Sequence, residues 1–200
     1  MGTAASTIEI PLFPLSTVLF PGGRIDLRIF EPRYLDMVRD SARSGSGFGI
    51  CSIVRGREVG DRAIPAAFGT RAVIEDFATL PDGLLGITAR GDRCFHVERT
   101  RVRDSGLIIG TVCYRDADPV LQVPPEYSLL ATILERLAEQ FGGELEDAPK
   151  AAFDDAAWVG FRLGEILPLE REERQQMLQS ADPLERLRLL AHWLPRFQKQ

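Results

Sequence analysis

The sequence predicts an α+β protein: a β-barrel of about six short strands with one helix among them, residues 8–117, followed by an α-helical bundle, residues 125–197. Three observations predict it. Short apolar runs separated by Gly, Pro and Asp turn signals fill the chain up to Tyr114, as successive strands would. Ala117-Asp118-Pro119 through Val123-Pro124-Pro125 forms a proline-rich seam, and beyond it the apolar period changes from 2 to 3.6. A barrel is expected rather than an open sheet because closure removes exposed strand edges.

The elements follow in order. Pro11 and Pro14 lack amide protons, so the first strand is expected to be short, irregular or at an edge. Pro21-Gly22-Gly23 predicts a turn, with Pro presetting φ and a glycine taking a positive one. Ile25, Leu27 and Ile29 alternate with Arg24, Asp26 and Arg28, the pattern of a half-buried strand. Glu31-Pro32 opens a helix over 32–43 with Tyr34, Leu35, Val38 and Ala42 at helical spacing. Strands are expected over 48–54 and 69–77, with turns at Arg55-Gly56 and Val59-Gly60-Asp61. Leu80-Pro81-Asp82-Gly83 is a hairpin signal. Residues 84–89 and 94–100 read as two strands flanking Arg90-Gly91-Asp92, and the last strand, 107–114, follows the turn Asp104-Ser105-Gly106.

After the seam, Leu129, Ile133, Leu137 and Phe141, with Leu130 and Leu134 beside them, form the stripe of a helix ending at Gly142-Gly143. Asp154 or Asp155 caps a second helix carrying Trp158, Phe161 and Ile166. A polar helix lies near 170–179. Asp182-Pro183-Leu184-Glu185 opens the last one, with Leu187, Leu190, Ala191 and Leu194 on its apolar face.

Two hundred residues, 44% of them hydrophobic, suffice to bury a core. No apolar run approaches the roughly 18 residues of a membrane helix, and Met1 to Ser6 resembles no secretory signal, so a cytoplasmic protein is expected. Cys51, Cys94 and Cys113 are odd in number and widely spaced, which suits free thiols in a reducing compartment. The net charge of −5 is uneven. Residues 1–115 carry 15 Arg and no Lys against 13 acids, whereas residues 116–200 carry 9 basic and 16 acidic side chains.

The opening run Ile10-Pro11-Leu12-Phe13-Pro14-Leu15-Ser16-Thr17-Val18-Leu19-Phe20-Pro21-Gly22-Gly23, continued by Arg24 to Tyr34, resembles the start of the N-terminal domain of Lon proteases. That domain also occurs alone, as LON substrate-binding domain proteins. Leu80-Pro81-Asp82-Gly83 with Gly91 to Val97 looks like the family's hairpin, and Ile166-Leu167-Pro168-Leu169 and Asp182 to Leu187 look like its closing helices. The resemblance implies a PUA-like barrel followed by a helical subdomain. It further implies a module that holds protein or unfolded polypeptide segments, as an adaptor or substrate-binding part of protein quality control.

The residues offer no chemistry of their own. G-x-x-x-x-G-K-S/T is absent, and so is the proteolytic domain with its Ser and Lys pair, so a non-enzymatic chain is expected. His96 and His192 stand far apart with no C-x-x-C or H-E-x-x-H, and neither a metal nor a cofactor is expected. Asp154-Asp155 and Glu172-Glu173 sit at helix starts, where the helix dipole accounts for them. Phe30 and Tyr34 are the candidate protein contacts, near the junction of the two subdomains, where extended chains are expected to bind. The alternatives are an RNA-binding barrel contacting RNA through Arg99, Arg101 and Arg103, which share a face if the strand extends that far, and, behind it, an unrecognised hydrolase or small-ligand binder. An isoelectric point near 5.2 and only two lysines favour a solvated face instead.

Overall fold

A computed structural model of the protein describes residues 7–58 and 63–199; the Met1 to Ser6 start and the turn expected at Val59-Gly60-Asp61 lie outside them. The fold is α+β. The chain divides into two compact units, Met1–Asp116 and Ala117–Gln200.

The first unit runs β1 (Thr7–Leu15), β2 (Arg24–Ile29), α1 (Pro32–Ser44), β3 (Phe48–Arg55), β4 (Ile64–Thr79), β5 (Leu85–Val102) and β6 (Ile108–Tyr114). The strands order β2-β5-β4-β3-β1-β6, and β6 pairs back onto β5. Five strands therefore make an uneven ring, with β2 attached to the first half of β5. All pairs are antiparallel except β1 with β3.

The prolines of β1 do not make it short or place it at the sheet edge. It has nine residues and changes partner midway, Thr7 to Leu12 lying along β6 and Leu12 to Leu15 along β3. Pro11 and Pro14 each fall where only one side of the strand is paired, positions of the kind in which a sheet tolerates proline. The Pro21-Gly22-Gly23 turn forms as expected, with Gly22 at φ 76° and the Gly23 N–H donating to the Phe20 carbonyl at 3.0 Å.

A second difference concerns Arg90-Gly91-Asp92, which is no turn. β5 passes through it as one 18-residue strand. Gly91 exchanges hydrogen bonds with the Pro21–Gly23 turn, accepting from Gly22 N–H at 2.7 Å and donating to the Gly23 carbonyl at 2.8 Å. A Cβ on Gly91 would collide with the Phe20 carbonyl, so the glycine marks a close backbone approach.

Alternation on β1 splits the core. Phe13 and Leu15 join Phe48, Ile50, Ile29 and the α1 residues Tyr34, Met37 and Val38, while Ile10 and Leu12 face the other way onto Cys51, Phe95, Ile108 and Val112. Ala42 of α1, placed on its apolar face by spacing, is exposed; Ser41 is buried instead, its hydroxyl donating to the Gly47 carbonyl at 3.2 Å.

The second unit holds α2 (Ser128–Phe141), α3 (Ala156–Ile166), α4 (Arg171–Gln179) and α5 (Pro183–Trp193). The buried stripe of α2 is Leu130, Leu134 and Ala138, one residue round from the predicted one, leaving Leu129 and Phe141 exposed. Asp155 caps α3 by accepting from Ala157 N–H at 2.9 Å, and Asp182 caps α5 by accepting from Leu184 N–H at 2.9 Å. The proline-rich segment is bonded into this unit, with Ala156 N–H donating to the Leu121 carbonyl at 2.8 Å and Val123 N–H to the Asp154 carbonyl at 2.9 Å.

Glu173 closes a capping box with Glu170 and accepts from Arg196 at 2.6 Å, and that bond holds its carboxyl below the ordinary carboxylate range. A carboxyl lowered on folding contributes stability above its unfolded value and loses it as pH falls through the folded one. Acid titration is therefore expected to weaken the helical unit below about pH 4.5. Tryptophan fluorescence during urea unfolding checks this, and Glu173→Gln is expected to flatten the acid slope.

Candidate protein-binding site

β4 and β5 pair from Thr79 opposite Leu85 to Phe68 opposite His96, and then part. β4 continues along β3, with Pro65 opposite Ile53, while β5 continues along β6, with Val97 opposite Val112 and Val102 opposite Ile108. Pro65 of β4 and a bulge between Val97 and Arg99 of β5 lie where the two strands part. The rings of Phe68 and His96, 4.8 Å apart, sit at the crotch.

A concavity of about 180 Å³ lies in the fork, lined chiefly by Ile64 and Pro65 of β4, Thr100 and Val102 of β5, Ile108 and Tyr34. Ile64 is 53% and Val102 41% exposed, and the two flank the concavity together. Tyr34 reaches the concavity from the core. It is 5% exposed, its ring stacks on Phe13 with centroids 4.0 Å apart, and burial pushes its hydroxyl above its ordinary value. Arg33 lies 4.7 Å over the same ring, pairs with Glu31 at 2.8 Å and donates to the Gly106 carbonyl at 3.1 Å. These contacts tie the first turn of α1 to the β5–β6 turn.

Phe30, at the end of β2, is 47% exposed and is not part of this lining. The two aromatic candidates are thus not gathered at one place, one being core and the other surface. Arg99 and Arg101 do share a face with Glu9: Arg99 lies opposite Thr111, and Thr111 opposite Glu9. Arg101 donates to both Glu9 oxygens at 3.1 and 2.7 Å, and chiefly this bond holds the Glu9 carboxyl below its ordinary value. Arg103 follows, exposed, just past the end of β5.

Ile64, Pro65 and Val102 fall outside the strands expected from the sequence, which place the start of β4 at 69 and the end of β5 at 100. The apolar Ile64-Pro65-Ala66 run before Gly69 is the available signal. Among the described residues no cluster of three or more His, Cys, Asp and Glu is suited to a metal ion, and no helix is long and apolar enough to cross a membrane. Cys51 is buried among Ile10, Leu12 and Phe95, and burial pushes its thiol well above its ordinary value.

The first unit is thus a mixed ring of strands carrying one helix, with a largely apolar concavity where β4 and β5 part. The chain belongs to the family described as the ATP-dependent protease La (LON) substrate-binding domain, which it matches over residues 9–196. It is 46% identical to a Lon N-terminal domain protein from Xanthomonas campestris of known crystal structure, with a TM-score of 0.79 over 93% of this chain and 98% of that one. The N-terminal domain of the Mycobacterium avium complex Lon protease shares the fold at 19% identity, with a TM-score of 0.67 over 93% of this chain and 97% of that one. Two longer proteins are also similar. One is a LON peptidase N-terminal domain and RING finger protein from Schizosaccharomyces pombe, 26% identical over 95% of this chain and 46% of its own length. The other is Lon protease 2 from Herpetosiphon aurantiacus, 28% identical over 94% of this chain and 24% of its own. The chain thus spans less than half the length of these curated relatives.

Proposed function

We propose that this chain binds unfolded or peptide-like protein segments without acting on them chemically, as an adaptor or substrate-recognition part of cytoplasmic protein quality control. The observation that supports this most is the apolar concavity with exposed Ile64 and Val102, in a chain whose family is described by substrate binding. Tyr34 contributes its edge to that surface, and Phe30 provides a separate exposed aromatic contact.

Titration of the protein with fluorescently labelled, reduced and carboxymethylated α-lactalbumin, which cannot refold, tests the reading. Binding is expected, and it is expected to weaken no more than a few-fold between about 50 and about 200 mM salt, because its apolar contacts are weakly screened and few charges take part. Phe30→Ala is expected to weaken it about fivefold, the effect of losing about 1 kcal/mol of contact. The purified protein is expected to hydrolyse neither ATP nor casein. Absence of binding overturns the reading. So does tighter binding of single-stranded RNA that collapses over the same salt range and is lost on Arg99→Glu or Arg101→Glu.

A further inference from the structure

We infer that the fork between β4 and β5 is an acceptor slot for one extended peptide strand, and that the strand it takes alternates apolar with acidic side chains. The inference rests on the reading of the chain as a protein-binding module and names the chemistry of what is bound.

The backbone comes first. Past Phe68 opposite His96, the edge of β5 that faced β4 has no strand partner among the described residues, while its other edge remains paired to β6. Residues 98–103 are exposed. An unpaired edge offers alternating N–H and C=O groups to any extended chain that lies beside it. The β4 segment across the fork includes Pro65, which has no N–H to donate to any neighbour. A guest strand would therefore hydrogen-bond to β5 and fill the opening that β4 leaves.

The side chains specify the guest. Thr100 and Val102 line the concavity together with Ile64, Pro65 and Tyr34, so every second guest residue would meet an apolar hollow. The intervening guest residues would point to the opposite face of β5, which carries Arg99 and Arg101, with Arg103 just beyond the strand end. Glu9 matches Arg101, and Glu98 sits in the bulge between Val97 and Arg99. Asp104 follows Arg103 beyond the strand end, so the positive charge lies on the β5 face itself, at Arg99 and Arg101, where directly opposed unlike charges stabilise a strand pair. The arginine stripe thus becomes a selectivity element for an acidic peptide.

A fluorescein-labelled hexapeptide, Glu-Val-Glu-Leu-Glu-Val, provides the test, with Lys-Val-Lys-Leu-Lys-Val as its counterpart and two further versions N-methylated on one or the other alternate set of amides. The acidic peptide is expected to bind at least tenfold more tightly than the basic one. N-methylation of one amide set is expected to abolish binding and of the other to leave it nearly unchanged, as addition to a single edge requires. Val102→Asp, a change at an exposed position, is expected to cost about tenfold, and Arg99→Glu with Arg103→Glu to reverse the preference towards the basic peptide. Equal binding of the two peptides overturns the inference, as does equal tolerance or equal loss for both methylated forms. If carboxymethylated α-lactalbumin binds while the acidic hexapeptide neither binds nor competes, the slot is refuted and the proposed function stands. If neither ligand binds, both are refuted.

Discussion

Asp118→Ala is expected to destabilise the helical unit by about 3–5 kcal/mol, the usual cost of removing one partner from a buried ion pair. Arg186 has no exposed surface. Its guanidinium pairs with Asp118, donates to the Ser180 carbonyl at 2.8 Å and lies 4.1 Å over the Phe161 ring. Gly160 leaves room beside it, the nearest Arg186 atom standing 3.5 Å from where a Cβ would be. Removing the carboxylate takes a negative partner from a fully buried cation, and neither the Ser180 carbonyl nor the Phe161 ring face replaces that charge. Replacing both partners, Asp118→Ala with Arg186→Met, is expected to recover much of the loss, because the desolvation cost disappears with the charge. Both tryptophans, Trp158 and Trp193, lie in this unit, so fluorescence during urea unfolding reports it directly. A shift of under about 0.5 kcal/mol for Asp118→Ala would show the pair to be dispensable.

Gly69→Ala is expected to cost the first unit about 3 kcal/mol or more, through overpacking rather than through backbone conformation. An added Cβ would press on the Ile50 carbonyl and stand 2.6 Å from Cys51 Sγ and 2.7 Å from Phe95 Cζ. Phe95 is fully buried, and Ile50 lies in the ladder between β3 and β4, opposite Thr70. Gly83→Ala is the useful contrast. Gly83 has φ 82° with nothing within 4 Å of where a methyl would stand, so only conformational strain of about 1 kcal/mol is expected there. Hydrogen exchange in β4, compared between the two variants, separates the effects; equal protection in both would refute the packing account.

Local chemistry is the readable part of this fold. Pro21-Gly22-Gly23 and Leu80 to Gly83 form turns because the φ requirements are written in adjacent residues. The helix caps at Asp155 and Asp182 are local for the same reason. What the sequence does not reveal depends on distant partners. Gly91 reads as a turn glycine, but its role is set by the Phe20 carbonyl, far earlier in the chain. Arg186 follows Glu185 in a pattern indistinguishable from a solvated helix face, yet Asp118 draws it inside. The α2 stripe lies one residue away from its expected place because Leu129 and Leu130 are equally apolar, and only the neighbouring helices decide which is covered. At the candidate site Tyr34 is legible as an aromatic at helical spacing, but the fork itself is a failure of two strands to pair. No single segment encodes that.

The partner exchange within β1 has a consequence for the order in which the first unit acquires structure. Thr7 pairs with Cys113 and Leu12 with Ile108, so the first strand of the unit to be made waits for the last. Contacts this far apart in sequence close late and slowly. Until β6 emerges from the ribosome, Ile8, Ile10 and Leu12 present an apolar strand with an unsatisfied edge to the surrounding water. The nascent form of this chain therefore displays the same kind of surface that the finished form is proposed to bind, and it is itself a candidate client of the machinery that shields such strands.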